Sequence, residues 1–197
     1  MRRVILVRHG ESEYSARAAL NGDLTTAVGL TPAGLEQAQR LAERLRDEPL
    51  DLAVTSEFQR VRETADELLR GRDVPRIVMP VLNDPLYGRF EGGGIEEYRA
   101  WAESTSSSEA PGAGGESRLA IVRRYARAFR ALLARPEETI LVVAHSLPIS
   151  YALAARDGRP PGARVPLAEY ATPYELDAEE LERTVALLEA WAAKPTW

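Results

Sequence analysis

Apolar positions along the chain fall into two patterns. Residues 4–7 and 139–144 are almost continuously apolar and rich in valine and isoleucine. Such short runs read as strands buried on both faces. Elsewhere apolar residues recur every three or four positions. Leu35, Ala38, Leu41, Ala42 and Leu45 form one such stripe, and Phe58, Val61, Ala65, Leu68 and Leu69 a second. Leu119, Val122, Tyr125, Ala126, Phe129, Leu132 and Leu133 form a third, and Leu181, Val185, Leu188 and Trp191 a fourth. Each predicts an amphipathic helix. Thr31-Pro32, Ser56-Glu57, Ser117 and the pair Asp177/Glu180 supply helix starts, while Pro49 and Gly71 supply stops.

Weaker patterns fill the intervals. Residues 50–55 read as a second strand and 76–81 as a third, although Pro80 removes a ladder donor from the latter. Residues 96–102 and 147–156 predict short helices. Residues 164–176, interrupted by Pro166 and Pro173, suit a sheet edge. Residues 11–30 and 88–94 read as loops, with Asn21-Gly22-Asp23 as a turn signal. The Ser/Gly-rich stretch 103–115 predicts a flexible loop or lid. Strands alternating with helices predict an α/β fold, a three-layer α/β/α arrangement with a mostly parallel sheet flanked by helices. Residues 1–197 read as a single domain.

Composition narrows the function classes. Hydrophobic residues make up 45% and charged residues 28%, as in soluble globular proteins. The net charge of −5 argues against a general nucleic-acid surface, so any anion site must be local. The absence of cysteine excludes disulfides, thiol catalysis and thiolate metal sites, and fits a cytoplasmic protein. No stretch approaches the ~18 apolar residues of a membrane span. The apolar run after Arg2-Arg3 is too short for a signal core.

The chain has two histidines, and each directly follows a buried run: His9 in Arg8-His9-Gly10, and His145. In a parallel sheet both face the same edge, where open α/β sheets bind ligands. Arg60, at the start of the helix after the second strand, and Asp84, after the third, belong to the same edge. Two arginines and a histidine make a cationic cage suited to phosphate. The other histidine can serve as a nucleophile, and the carboxyl group as acid and then base. A zinc site is the competing reading of two histidines and an acid, and the neighbouring arginines argue against it.

These residues sit in a longer series: 7–12 (Val-Arg-His-Gly-Glu-Ser), 30–34 with Gln37-Ala38, 56–65 with Arg60 and Thr64-Ala65, 84–92, 114–117 and 142–145. In that order they resemble the histidine phosphatase superfamily, or phosphoglycerate mutase-like family. The resemblance covers residues 3 to 150, approximately. It implies His9 as a nucleophile that becomes phosphohistidine, Arg8 and Arg60 as phosphoryl ligands, and His145 as a protonated stabiliser. Asp84, where many members have Glu, becomes the proton donor and then the base. Glu116 matches a family position near the site; its alternative is an ordinary first-turn acid.

Ser15 stands where the family often has Asn, and Ser146 where it usually has Gly; both are candidate phosphate ligands. The implied activity is a phosphomonoesterase that needs no metal or cofactor and acts on a small phosphorylated metabolite. The alternatives are phosphoglycerate mutase-type transfer and a phospholigand-binding regulatory module. The compact segment 82–93 lacks the extended signature of the mutases. Family habit also suggests a homodimer. Specificity should lie in residues 11–29, 85–116 and 146–172, with Tyr14, Tyr87, Phe90, Tyr98 and Trp101 as candidate wall residues.

Overall fold

The computed structural model describes all 197 residues. The chain runs β1 (Arg3–Arg8), α1 (Pro32–Arg44), β2 (Leu52–Thr55), α2 (Gln59–Leu68), β3 (Arg76–Val78) and α3 (Ile95–Ser104). It continues with α4 (Arg118–Leu133), β4 (Thr139–Ala144), α5 (Ser146–Arg156), β5 (Pro173–Asp177) and α6 (Ala178–Ala193). The strand order is β3-β2-β4-β1-β5. All neighbours are parallel except β5, which runs antiparallel along the β1 edge.

The continuous apolar runs follow from burial on both faces. Val4 and Leu6 of β1, with Ile140 and Val142 of β4, pack under α4, α5 and α6. The intervening Ile5, Val7, Leu141 and Val143 pack under α1 and α2. Period-two alternation therefore sends every second side chain into one of two apolar layers. The starts are as the sequence predicts for α1, α4 and α6. Thr31 Oγ1 accepts from the Gly34 N–H at 3.0 Å, Ser117 Oγ from that of Ala120 at 3.2 Å, and Asp177 and Glu180 close a capping box. α2 instead begins at Gln59, with Phe58 as its cap residue.

Three local expectations are corrected. β3 stops at Val78, because Pro80 opens a 3-10 turn over Pro80–Leu82. Within 164–176 only Pro173–Asp177 pairs as a strand, although Tyr170 makes a single bridge to Arg8. Residues 103–115 do not cover the site. Ser107 is buried, and its N–H and hydroxyl donate to the Trp197 carbonyl at 3.3 and 2.6 Å. The Pro111 carbonyl accepts from Arg89 N–H at 2.9 Å. These contacts tie the stretch to the body of the domain, and none of it lines the main cavity.

Candidate active site

β1 and β4 are neighbours in register, Arg8 opposite Ala144, so the residues after them meet. The His9 and His145 rings lie edge to face with centroids 5.4 Å apart. Ser56 follows β2 on the same edge, Arg60 lies in the first turn of α2, and Asp84 follows the Pro80–Leu82 turn. Both histidines are buried, at 3% and 0% exposure.

His9 Nδ1 lies 2.7 Å from the Gly10 carbonyl, which can only accept. The proton is therefore on Nδ1, and Nε2 keeps its lone pair. Burial, then the cations of Arg60 and Arg8, hold the His9 pKa well below the usual histidine value. The ring is a neutral imidazole whose unprotonated Nε2 accepts from the Arg60 Nε–H at 3.3 Å. Gly10 permits a close approach: a Cβ there would strike the Gly34 carbonyl, and one on Gly34 would strike that of Glu11. The Gly10 N–H donates to Thr64 Oγ1 at 3.0 Å, and Thr64 donates to the Arg60 carbonyl at 2.7 Å. That bridge fixes the β1 turn against α2.

Arg60 organises the centre. Nη1 donates to Asn21 Oδ1 at 2.6 Å, and Nη2 to the Asn21 carbonyl at 2.9 Å and to Asp84 Oδ2 at 3.0 Å. Arg8 is held differently. Its Nη1 donates to the Ala168 carbonyl at 2.7 Å, its guanidinium lies 3.8 Å above the Tyr170 ring, and its Nε has no partner. Asp84 also faces the Tyr87 hydroxyl at 3.4 Å. Its side chain is 16% exposed, and burial raises its pKa against the opposing pull of Arg60.

His145 has polar neighbours at both ring nitrogens. Its Nε2 lies 2.9 Å from Ser56 Oγ, and its Nδ1 3.4 Å from Arg60 Nη2 and 3.5 Å from Asp84 Oδ2. Burial and the facing Arg60 hold its pKa well below the usual value, so the ring is neutral rather than protonated. Desolvation and an adjacent cation outweigh one carboxylate whose own charge is shared with Arg60.

Ser15 and Ser146 both line the cavity. Ser15 Oγ accepts from the Ser12 N–H at 2.8 Å and donates to the Ser12 carbonyl at 3.1 Å, which spends its hydrogen. Ser146 Oγ accepts from the Ala168 N–H at 2.9 Å. Glu116 does not reach the cavity. It pairs with Arg124 at 2.7 Å and accepts from the Leu86 N–H at 3.1 Å. Of the candidate wall residues, Tyr14, Tyr87 and Tyr98 line the cavity, while Phe90 and Trp101 stack behind Tyr98.

Sequence reasoning missed Asn21, Ser56 and Tyr170 as parts of the site. Asn21 carried only a turn signal. Tyr170 lies in a proline-broken stretch without periodicity, so nothing local pointed it at Arg8.

The profile of the histidine phosphatase superfamily (branch 1) matches residues 4–190. The chain belongs to this superfamily. Histidine phosphatases similar to it include the adenosylcobalamin/alpha-ribazole phosphatase of Salmonella typhimurium LT2, 35% identical over 161 residues, which are 77% of this chain and 78% of that one. The alpha-ribazole phosphatase of Shigella flexneri superposes with a TM-score of 0.75 at 27% identity, over 89% of this chain and 90% of that one. A mycobacterial glucosyl-3-phosphoglycerate phosphatase superposes with a TM-score of 0.74 at 26% identity, over 89% and 92%. Like these histidine phosphatases, the chain is a phosphoric monoester hydrolase. No helix is long and apolar enough to cross a membrane.

Proposed function

We propose that the chain is a metal-independent phosphomonoesterase that hydrolyses a small phosphorylated metabolite through a phosphohistidine at His9. One observation carries this reading. A neutral imidazole presents its lone pair beside Arg8 and Arg60, and a buried carboxyl group stands across from it. Nucleophile, anion cage and proton donor thus share one sheet edge. The cavity, of about 150 Å³, suits a small organic group.

The phosphoryl oxygens take the free donors of Arg8 and the inner edge of Arg60. His9 Nε2 attacks phosphorus in line as the ester P–O bond breaks. Asp84 gives its proton to the departing oxygen, which leaves as the alcohol. The Asp84 carboxylate then takes a proton from water, whose oxygen attacks phosphorus. The P–N bond breaks, phosphate leaves, and His9 is again neutral. Asp84 is paired with Arg60 before substrate binds, burial pushes its pKa up towards proton uptake, and a phosphoryl dianion that draws Arg60 away pushes it the same way, while the lowered His9 pKa keeps the lone pair free. His145 is neutral before substrate arrives. A phosphoryl dianion beside it reverses the local field and draws a proton onto the ring, which supplies charge when charge is needed. Ser146 gives its hydrogen only to a long 3.5 Å contact with Ser150 Oγ, from which a phosphoryl oxygen could take it, whereas Ser15 acts by shaping the 12–15 turn.

The test is phosphate release from a panel of phosphomonoesters in EDTA, beside His9→Ala. The panel holds p-nitrophenyl phosphate, sugar phosphates, nucleotides and 3-phosphoglycerate. EDTA-resistant release that disappears in the variant is the expected result. Isomerisation of 3-phosphoglycerate without net hydrolysis would favour a mutase, and silence with a folded protein would favour a binding module.

A further inference from the structure

Arg8, Arg60 and Arg118 are all buried, at 8%, 3% and 5% exposure, and all three line the same cavity. A guanidinium out of water is costly unless an anion answers it. Arg60 has Asp84. Arg8 has no carboxylate within ion-pair distance, and the phosphoryl group of the proposed reaction would be its anion. Arg118 has no carboxylate either. Its Nη1 donates to the neutral Tyr151 hydroxyl at 3.1 Å and its Nη2 to the Ala163 carbonyl at 3.2 Å, while its Nε has no partner. The guanidinium carbon lies 4.9 Å from the centroid of the Tyr98 ring. Tyr98, 2% exposed, has a hydroxyl with no partner.

Two side chains with an unpartnered polar atom therefore lie side by side in the wall of the cavity. They are separate from the phosphoryl cage. Asp84 meets Tyr87, the Tyr87 ring meets Tyr98 at 5.0 Å, and Arg118 adjoins Tyr98, with no bond from Arg118 to Arg8, His9, Arg60, Asp84 or His145. Leu20, Ile95, Leu147 and Val165 supply apolar wall. Holding the Ala163 carbonyl and Tyr151 uses two of the five guanidinium N–H donors and leaves the charge uncompensated.

We propose that Arg118 and Tyr98 form a second anion subsite, and that the substrate is a phosphomonoester with an apolar carbon skeleton ending in a carboxylate. This inference rests on the phosphomonoesterase reading above. A carboxylate fits better than a second phosphate because one unit of positive charge is available there. Arg99 on the same wall is already paired with Glu96 at 2.7 Å.

The test is kcat/KM for a series of linear alkyl phosphates of increasing length, each bearing a terminal carboxylate, its methyl ester or a second phosphate. At one length the acid should exceed its ester by about tenfold or more, as a site built around a polar group discriminates. Arg118→Met should reduce that ratio to about twofold or less, and Tyr98→Phe should lower it partially, by a few-fold. Circular dichroism checks both folds. Should Arg118→Met not fold, the wild-type ratio and Tyr98→Phe decide. Equal rates for acid and ester at every length would overturn the subsite, as would a preference that survives Arg118→Met. A bisphosphate preferred over the acid would overturn the carboxylate assignment. Release from the esters without an acid preference leaves the phosphomonoesterase reading standing. No release from any compound overturns that reading and the subsite with it.

Discussion

His9 and Asp84 have their pKa values pushed towards each other, one down and one up, by the same burial acting on groups of opposite charge type. Both shifts act in the direction that the nucleophile and the acid need, one towards a free lone pair and one towards a retained proton. Asp84→Asn should slow hydrolysis of an alkyl phosphate by about 10²–10⁴-fold, the usual range for a lost proton donor. It should slow p-nitrophenyl phosphate far less, since that leaving group needs little protonation. Steady-state rates on both esters check this, and equal losses would remove Asp84 from the role. The histidines also link stability to pH. Their folded pKa values lie below the ordinary 6.5, so the unfolded chain binds more protons as pH falls through that value. Stability is then lost below pH 6.5, while Asp84 acts in the opposite sense above its ordinary 3.8. His145→Gln should flatten the acid limb of the stability curve, read as urea midpoints from pH 5 to 7. The residue types of the site were legible because His9, His145 and Arg60 sit at strand ends and a helix start that periodicity locates, while Asp84 lies six residues past the end of β3 and was reached through a strand read too long. The protonation of His145 was not, because it depends on a guanidinium brought from another element.

The elements decide where those residues sit. The loop bearing Asp84 has little regular structure of its own, and α4 holds it from beneath. Arg124 donates to the Val81 and Asn83 carbonyls at 3.0 and 2.7 Å, and Tyr125 to that of Asn83 at 3.1 Å. Glu116, paired with Arg124, accepts from the Leu86 N–H, so both flanks of Asp84 are anchored. Arg124→Met should therefore reduce alkyl phosphate hydrolysis by about ten- to a hundredfold through misplacement of the acid. Its loss on p-nitrophenyl phosphate should be smaller, as for Asp84→Asn. A uniform loss on both esters would mean general destabilisation instead. At the other side of the site, α1 abuts the β1 turn through Gly10 and Gly34. Gly34→Ala should cost about 1–3 kcal/mol by overpacking, measured by urea unfolding. The strongly periodic helices and the two buried strands were readable along the chain. The limits of β3 and the anchoring of 103–115 were not, because Pro80 and the Trp197 carbonyl act through turn geometry and long-range contact.

Across the whole molecule, a sheet covered on both faces leaves one edge open, where the ends of β1, β2 and β4 gather the three chain segments that carry Arg8 and His9, Ser56 and Arg60, and His145. The cavity there joins a cationic phosphoryl end to an apolar wall and a distal arginine, and side chains from loops scattered over the chain complete it. The loops carry no periodicity, which is why Asn21 and Tyr170 emerge only from the folded chain, while Arg118 opens a legible helix whose partners come from residues 98, 151 and 163. The central claim is that the phosphoryl group passes through His9. The most direct measurement is to mix wild-type protein with p-nitrophenyl phosphate in EDTA, follow the initial release of p-nitrophenol, quench in alkali and map the phosphoryl group. The account predicts a burst of p-nitrophenol and an acid-labile phosphoryl group on the peptide carrying His9, both absent from His9→Ala. Sustained turnover with no burst and no phosphorylated His9, together with a His9→Ala variant as active as the wild type, would contradict it.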